Sequence, residues 1–233
     1  MNVGEMVKDA VRYPLLDWRK FLIFGILFAV TYLYQEVWRI IPNYGLFIVL
    51  ALIGLIVELF VMGYLIKVIE SSLTGVNELP EFKEWGHMLI DGFKVAIAAI
   101  IYFLPAVLIM QIEPLLGSAS GILDIIVILY AALVIPIFLV AMANMVNYGG
   151  EFELAFRFRG IFEKISVIGR LNFIKWYLIT VITFFGLYFI TFGIYWLLNL
   201  VYPILGEIIQ SLIMIPFICI FLARSVGLFY NSE

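Results

Sequence analysis

This chain has very little reactive chemistry. It holds a single cysteine, Cys219, set in an apolar run, and a single histidine, His87. One thiol cannot make a disulfide framework. One thiol and one imidazole leave almost no material for zinc, haem or a Cys–His catalytic pair. No cofactor or metal is therefore expected. Charge is scarce as well: Asp, Glu, Lys and Arg make up 13% of the residues, about half the share of an ordinary soluble domain. The formal net charge is only -3 and no basic block stands out, so nucleic acid is not an expected partner. A Gly-rich phosphate loop, an H-E-x-x-H pair and a G-x-S-x-G elbow are all missing, which removes the commonest enzyme signatures. The expectation is a protein that is not an enzyme.

Apolar surface, by contrast, is abundant. Hydrophobic residues account for 65% of the chain and the mean hydropathy is +1.12. Six runs, about 21–41, 44–69, 89–112, 122–148, 173–200 and 204–230, match the ~20 residues that cross a bilayer core. Helices are the expected spanning form, because lipid offers no partner to an open sheet edge. The first run is not a cleavable signal: Glu5 and Asp9 stand among its basic residues, and Tyr32, Tyr34 and Gln35 follow where small residues would be needed.

The stretch from Gly63 to Pro105 shows the organising unit. A greasy run ends at Lys67, a polar loop turns at Gly75 and Pro80, and an amphipathic piece passes Trp85 to Asp91 and Lys94, where the next run begins. Residues 2–16 form a similar amphipathic piece, with Val3, Met6, Val7, Ala10 and Val11 on one side. A third precedes the fifth run, where Leu154, Phe158, Ile161, Ile165 and Ile168 share a face. Asp17…Lys20, Asp91…Lys94 and Asn172…Lys175 open the odd-numbered runs alike, and Ile135-Pro136, Ala143 and Val146 match Ile215-Pro216, Ala223 and Val226 at one offset. The expected fold is a single all-α membrane domain. It has six transmembrane helices as three hairpins, each preceded by a cytoplasmic interfacial helix, in three repeats of about 1–70, 71–148 and 149–233.

Basic residues set the orientation. Lys8, Arg12, Arg19, Lys20, Lys67, Lys83, Lys94, Arg157, Arg159, Lys164, Arg170, Lys175 and Arg224 fall on one side, and Arg39 alone on the other. That bias places both termini and both long connections in the cytoplasm of a cell-membrane protein. Trp18, Trp38, Trp85, Trp176 and Trp196 all fall at run ends, as an aromatic belt would have them.

Several of these residues also carry a family resemblance. Tyr13-Pro14, Gly63-Tyr64, the Gly75…Leu79-Pro80-x-Phe82 turn, Asp91-Gly92-x-Lys94, Tyr102-x-x-Pro105 and Ala155-Phe156-Arg157-Phe158 resemble the archaeal and bacterial multi-pass family catalogued as domain of unknown function 4013. The chain is more distantly similar to the membrane domain attached to some glycerophosphodiester phosphodiesterases. The resemblance implies fold and location. It implies no activity, since the family's biochemistry is unassigned and nothing of the phosphodiesterase active site carries over.

A few polar residues are candidate sites. Glu58 falls near the middle of the second run, where a charged, unpaired carboxylate is costly and marks a proton or cation site, an ion-pair partner, or a protonated group bonded to a neighbouring helix. Asn144, Asn147 and Arg224 fall on the inner halves of the fourth and sixth runs, as a cluster for a lipid phosphate or as helix glue beside a snorkelling arginine. Pro105, Pro136 and Pro216 interrupt three runs, as kinks or as the broken helices of transporters. Asp91, Lys94, Trp85 and His87 are interfacial candidates. Two functions follow. The first is a non-enzymatic membrane component that binds or organises lipid, a protein partner or a second copy of itself. The alternative is a small transporter or channel using Glu58 and the proline-broken helices.

Overall fold

An apolar segment of bilayer length satisfies its backbone polar groups most simply by pairing them within one helix, and among the described residues helices occupy these runs. The computed structural model describes residues 2–41, 43–112 and 120–232, without the side chains of 32–36, 38–40, 120, 203 and 204. No strand occurs among the described residues. In chain order the helices are α1 Val3–Arg12, α2 Trp18–Ile40, α3 Tyr44–Leu73, α4 Trp85–Ile112, α5 Ser120–Asn147, α6 Phe158–Ile168, α7 Arg170–Val201, α8 Pro203–Ile209 and α9 Ile215–Tyr230. Local chemistry fixes several starts. Asn2 caps α1 in a capping box with Glu5. The Asp17 carboxylate accepts from the N–H groups of Arg19 and Lys20 at α2, and Asn43 accepts from Leu46 at α3. Each cap satisfies N–H groups that the first turn leaves unpaired.

Among the described residues, five helices are long and apolar enough to cross a membrane: Tyr44–Leu73, Trp85–Ile112, Gly121–Asn147, Arg170–Val201 and Leu205–Tyr230. The first expected run coincides with α2, a helix of 23 residues, which is not one of those five. The outer loop expected around 113–120 lies almost wholly outside the described residues, as do Pro42 and the side chains of Trp38 and Arg39.

One expectation is corrected. No separate interfacial helix precedes the third run; an irregular loop spans 74–84 and α4 starts directly at Trp85. Gly75 at φ 76 and Glu84 at φ 59 both hold left-handed backbone here, and Pro80 cannot donate to a helix ladder, so only four residues separate that proline from α4. The prolines also differ among themselves. Pro105 and Pro136 sit inside continuous helices. Of the three, Pro216 follows a change of helix type, a π turn over Gln210–Met214 that joins α8 to α9 within the continuous segment Leu205–Tyr230.

The packing centres on α3, α5 and α9, which contact one another pairwise. Helix α4 packs on α3 and α5, and α2 packs on α3 and on the π turn and α9. Helix α7 packs on α8, α9, α1 and α6, with no comparable packing on α5. Gly63 and Gly92 bring α3 and α4 closest: a Cβ on Gly63 would collide with the Met88 carbonyl, and one on Gly92 with the Leu59 carbonyl. The two contacts are reciprocal, one turn apart on each helix, as in close small-residue crossings of membrane helices. Gly25 similarly meets the carbonyl of Leu212, four residues before Pro216, whose ring removes that carbonyl's ordinary donor.

Burial is concentrated toward one end. On α5 the buried run is Val140–Met145, on α9 burial continues from Ile220 through Ala223–Gly227 to Phe229 and Tyr230, and α7 buries only Trp176 and Thr180. This is the end where α1, α6 and the polar loops lie.

Candidate functional site

Backbone carbonyls organise the polar end. The 74–84 loop runs without helix or sheet pairing, so its carbonyls need partners from elsewhere. Five of them find side-chain donors. The Val76 carbonyl accepts from Arg224 Nη1 at 2.9 Å, Glu78 from the Tyr13 hydroxyl at 2.6 Å, and Leu79 from Lys20 Nζ at 2.6 Å. Pro80 accepts from the Tyr64 hydroxyl at 3.2 Å and Lys83 from Lys67 Nζ at 2.6 Å. These donors come from the 3-10 turn Tyr13–Leu15, α2, α3 and α9. The second polar connection, around 148–157, is held the same way. Gly150 accepts from Lys94 Nζ at 2.9 Å, Leu154 from Asn144 Nδ2 at 2.9 Å and Ala155 from the Tyr102 hydroxyl at 2.6 Å.

Arg224 is the hub of the first set. It is 1% exposed. Its Nε donates to Asp9 Oδ1 at 2.8 Å, Nη1 also reaches Ser72 Oγ at 3.4 Å, and Nη2 donates to Asn77 Oδ1. Its guanidinium lies 4.3 Å from the centre of the Tyr13 ring, within cation–π range. One side chain thereby ties α9 to α1, to α3 and to the loop. Burial pushes the Tyr13 phenol up to about 12, and the nearby Arg224 charge pulls only partly back. At α2 the Lys20 backbone N–H, more than any other group, holds the Asp17 carboxyl below the usual carboxylate range.

The cluster expected of Asn144, Asn147 and Arg224 falls into separate parts. Asn144 is buried and accepts from the Tyr230 hydroxyl at 2.8 Å while donating to Leu154. Asn147 is exposed. Arg224 spends its donors on Asp9, Ser72, Val76 and Asn77. Asn144 instead opens onto a cleft of about 650 Å³ with Arg157, Arg159, Glu163 and Lys164.

The interfacial candidates do come together. His87, Asp91 and Lys94 line one cavity of about 250 Å³ with Lys67, Glu70 and Glu84. Lys94 pairs with Asp91 at 2.9 Å and Lys67 with Glu84 at 3.3 Å. Trp85 stands apart, packing its ring on Phe60 and Phe82. No set of three His, Cys, Asp or Glu side chains able to hold a metal occurs among the described residues. Glu58 is exposed on the outside of α3, with no hydrogen bond or ion pair to another described residue. Trp18, Trp85 and Trp196 are exposed, as a belt requires. Trp176 is not: it is fully buried, donates to Ser225 Oγ at 2.9 Å and stacks on Phe229 at 4.5 Å.

Sequence reasoning missed Asp9 and Tyr13 as partners of Arg224, because nothing in a linear pattern joins residues 215 positions apart. It also missed Glu207, which accepts from the Tyr195 hydroxyl at 2.7 Å between α8 and α7.

Fold and site together define a protein of membrane character, all-helical with irregular loops among the described residues, whose polar loops are held by side-chain donors gathered at one end. The chain belongs to the family described as "Protein of unknown function (DUF4013)", whose pattern matches residues 46–200. It is similar to "Uncharacterized protein MJ0233" of Methanocaldococcus jannaschii, at 24% identity over 195 residues, covering 71% of this chain and 70% of that protein. No solved structure matches.

Proposed function

We propose that this protein is a non-enzymatic, multi-pass membrane component that organises lipid or a membrane partner at the inner leaflet of the cell membrane. In this reading α2 crosses with the other five, both termini are cytoplasmic, and three hairpins repeat one design. Lys20 and Lys94 support the repeat, since each reaches a carbonyl of the next polar connection. Lys175, in the third equivalent place, lines a cavity of about 200 Å³ with Asn2 and Ser232.

The observation that carries the proposal is where the polar groups go. Arg224, Lys20, Lys94, Asn144, Tyr13 and Tyr102 all hold loop carbonyls. They fasten the loops into a platform that this reading places on the cytoplasmic side, and Glu58, the strongest candidate for a transported proton, faces away from the bundle. A transport pathway needs polar groups lining it. The alternative, a small transporter or channel, draws on the π turn before Pro216 and the Glu207–Tyr195 pair beside it, because broken helices line transporter sites. Native mass spectrometry in mild detergent, beside proton flux into liposomes, separates the two. Retained phospholipid with flux equal to protein-free liposomes is the expected result. A bare monomer with flux abolished by Glu58→Gln would establish the transporter instead.

A further inference from the structure

Helix α7 is the exception in the packing. Of the three long helices outside the central trio, α2 and α4 each pack against two members of it. Helix α7 packs on α9 but leaves its α5 side open. The opening is a groove of about 490 Å³, lined by Ala132 and Leu133 of α5, by Phe162 of α6, and by Phe173, Tyr177 and Leu178 of α7. One charged residue borders it, Arg170 at the start of α7.

We infer that this groove holds one acyl chain of an anionic phospholipid, with the phosphate on Arg170. The assignment rests on the inner-leaflet, lipid-organising reading above and gives it a place. Three features argue for this occupant. The lining is aliphatic and aromatic, and the volume falls within the ~300–1,000 Å³ of small-ligand sites. A partner helix, about 10–12 Å across with its side chains, would overfill it. From Arg170 to Leu178 is eight residues, about 12 Å of helical rise, close to the ~15 Å of one hydrocarbon leaflet.

The charge is also suited to a phosphate. Arg170 is exposed and makes no hydrogen bond or ion pair with another described residue. No side chain caps the first turn of α7, whose N-cap is Gly169. Free N–H groups and the positive end of the helix dipole therefore sit beside the guanidinium at the mouth of an apolar slot. A phosphodiester with a chain attached satisfies both halves at once, and a soluble anion would leave the slot empty.

The test uses the full-length protein in nanodiscs of phosphatidylcholine with a minor share of phosphatidylglycerol, extracted into mild detergent, with retained lipid read by native mass spectrometry. Wild type is expected to keep one phosphatidylglycerol in preference to phosphatidylcholine. Arg170→Ala should lower that preference roughly fivefold, the effect of losing one basic residue at an anionic lipid. Ala132→Phe and Leu133→Trp fill the slot from α5 and should each lower retention at least tenfold; Leu133 is 69% exposed, so the second variant does not depend on repacking a core. Thermal melts confirm that the variants compared are folded. If wild type and all three variants keep the same lipid with the same preference, the groove assignment is overturned while the lipid-organising reading stands. Wild type without any retained lipid overturns both. A polypeptide seated in place of lipid, displaced by the slot-filling variants, overturns the phospholipid assignment in favour of a protein partner.

Discussion

The buried arginine gives the sharpest energetic prediction, because its two ends are unequally placed. Arg224 has a side chain 1% exposed, while that of its partner Asp9 is 39% exposed. Removing Asp9 leaves a guanidinium sealed among neutral acceptors, Val76, Asn77 and Ser72. An uncompensated buried charge of this kind costs about 3–5 kcal/mol. The exposure of Asp9 discounts the pair toward the lower figure, since water screens that end. Removing Arg224 instead leaves a carboxylate that water can reach, plus a Val76 carbonyl worth about 1–3 kcal/mol if left unpaired. Arg224→Met also restores apolar contact with the Tyr13 ring. The expected order is therefore Asp9→Ala at about 3 kcal/mol and Arg224→Met at about 1–2 kcal/mol. The double variant should lie close to Arg224→Met alone, giving a coupling of about 2–3 kcal/mol. Denaturation in dodecyl maltoside, followed by circular dichroism, supplies the cycle, and hydrogen exchange across 74–84 reports whether the loop is released. The reasoning is refuted if Arg224→Met costs more than Asp9→Ala, or if the two single effects simply add.

Other outcomes follow from the same contacts. Gly63→Ala and Gly92→Ala each drive a methyl into the facing backbone of the α3–α4 crossing, and should destabilise by about 1–3 kcal/mol in the same denaturation assay; Gly86→Ala, with open space around it, serves as the silent control. Asp17→Ala removes the cap of α2 and should cost about 1 kcal/mol. The depressed folded pKa of Asp17 stabilises above its unfolded value of about 3.9, and that contribution is lost as pH falls through the folded value. Melting curves from pH 6 downward should therefore be flatter for Asp17→Asn than for wild type. Glu58→Gln should leave stability within about 0.5 kcal/mol, because the carboxyl has no described partner to lose; unfolding of that variant would point to a required charged pair.

Helix positions were legible in the sequence because hydropathy and capping agree. The second run, expected over 44–69, is α3 Tyr44–Leu73 with Asn43 as its cap. The fifth, expected over 173–200, is α7 Arg170–Val201. Amphipathic helices α1 and α6 were legible for the same reason: Val3, Met6, Val7 and Ala10 are the buried face of one, and Ile161, Ile165 and Ile168 that of the other. The site was less legible. The Asp91–Lys94 pair stood out at helical spacing and is a pair in the structure. The partners of Lys20, Tyr13 and Tyr102, however, are backbone carbonyls, and a carbonyl leaves no trace in residue identity. Trp176 shows the same blindness. Its place near a helix end reads as an interfacial ring, and only packing against Ser225 and Phe229 reveals a core residue. The π turn at Gln210–Met214 was signalled by Pro216 alone. Pro105 and Pro136 carry the same sign inside regular α-helix, so the residue type does not decide the outcome.

The reading of function depends on topology: both polar connections and both termini on the cytoplasmic side, with α2 crossing the membrane. Site-directed cysteine labelling tests that directly. In a Cys219→Ala background, Lys8→Cys, Glu81→Cys, Glu153→Cys and Ser232→Cys should react with an impermeant maleimide only after the membrane is opened, and Ser118→Cys should react in intact cells. Lys8→Cys and Glu81→Cys labelling from opposite sides would remove α2 or α3 from the membrane and contradict the three-hairpin account.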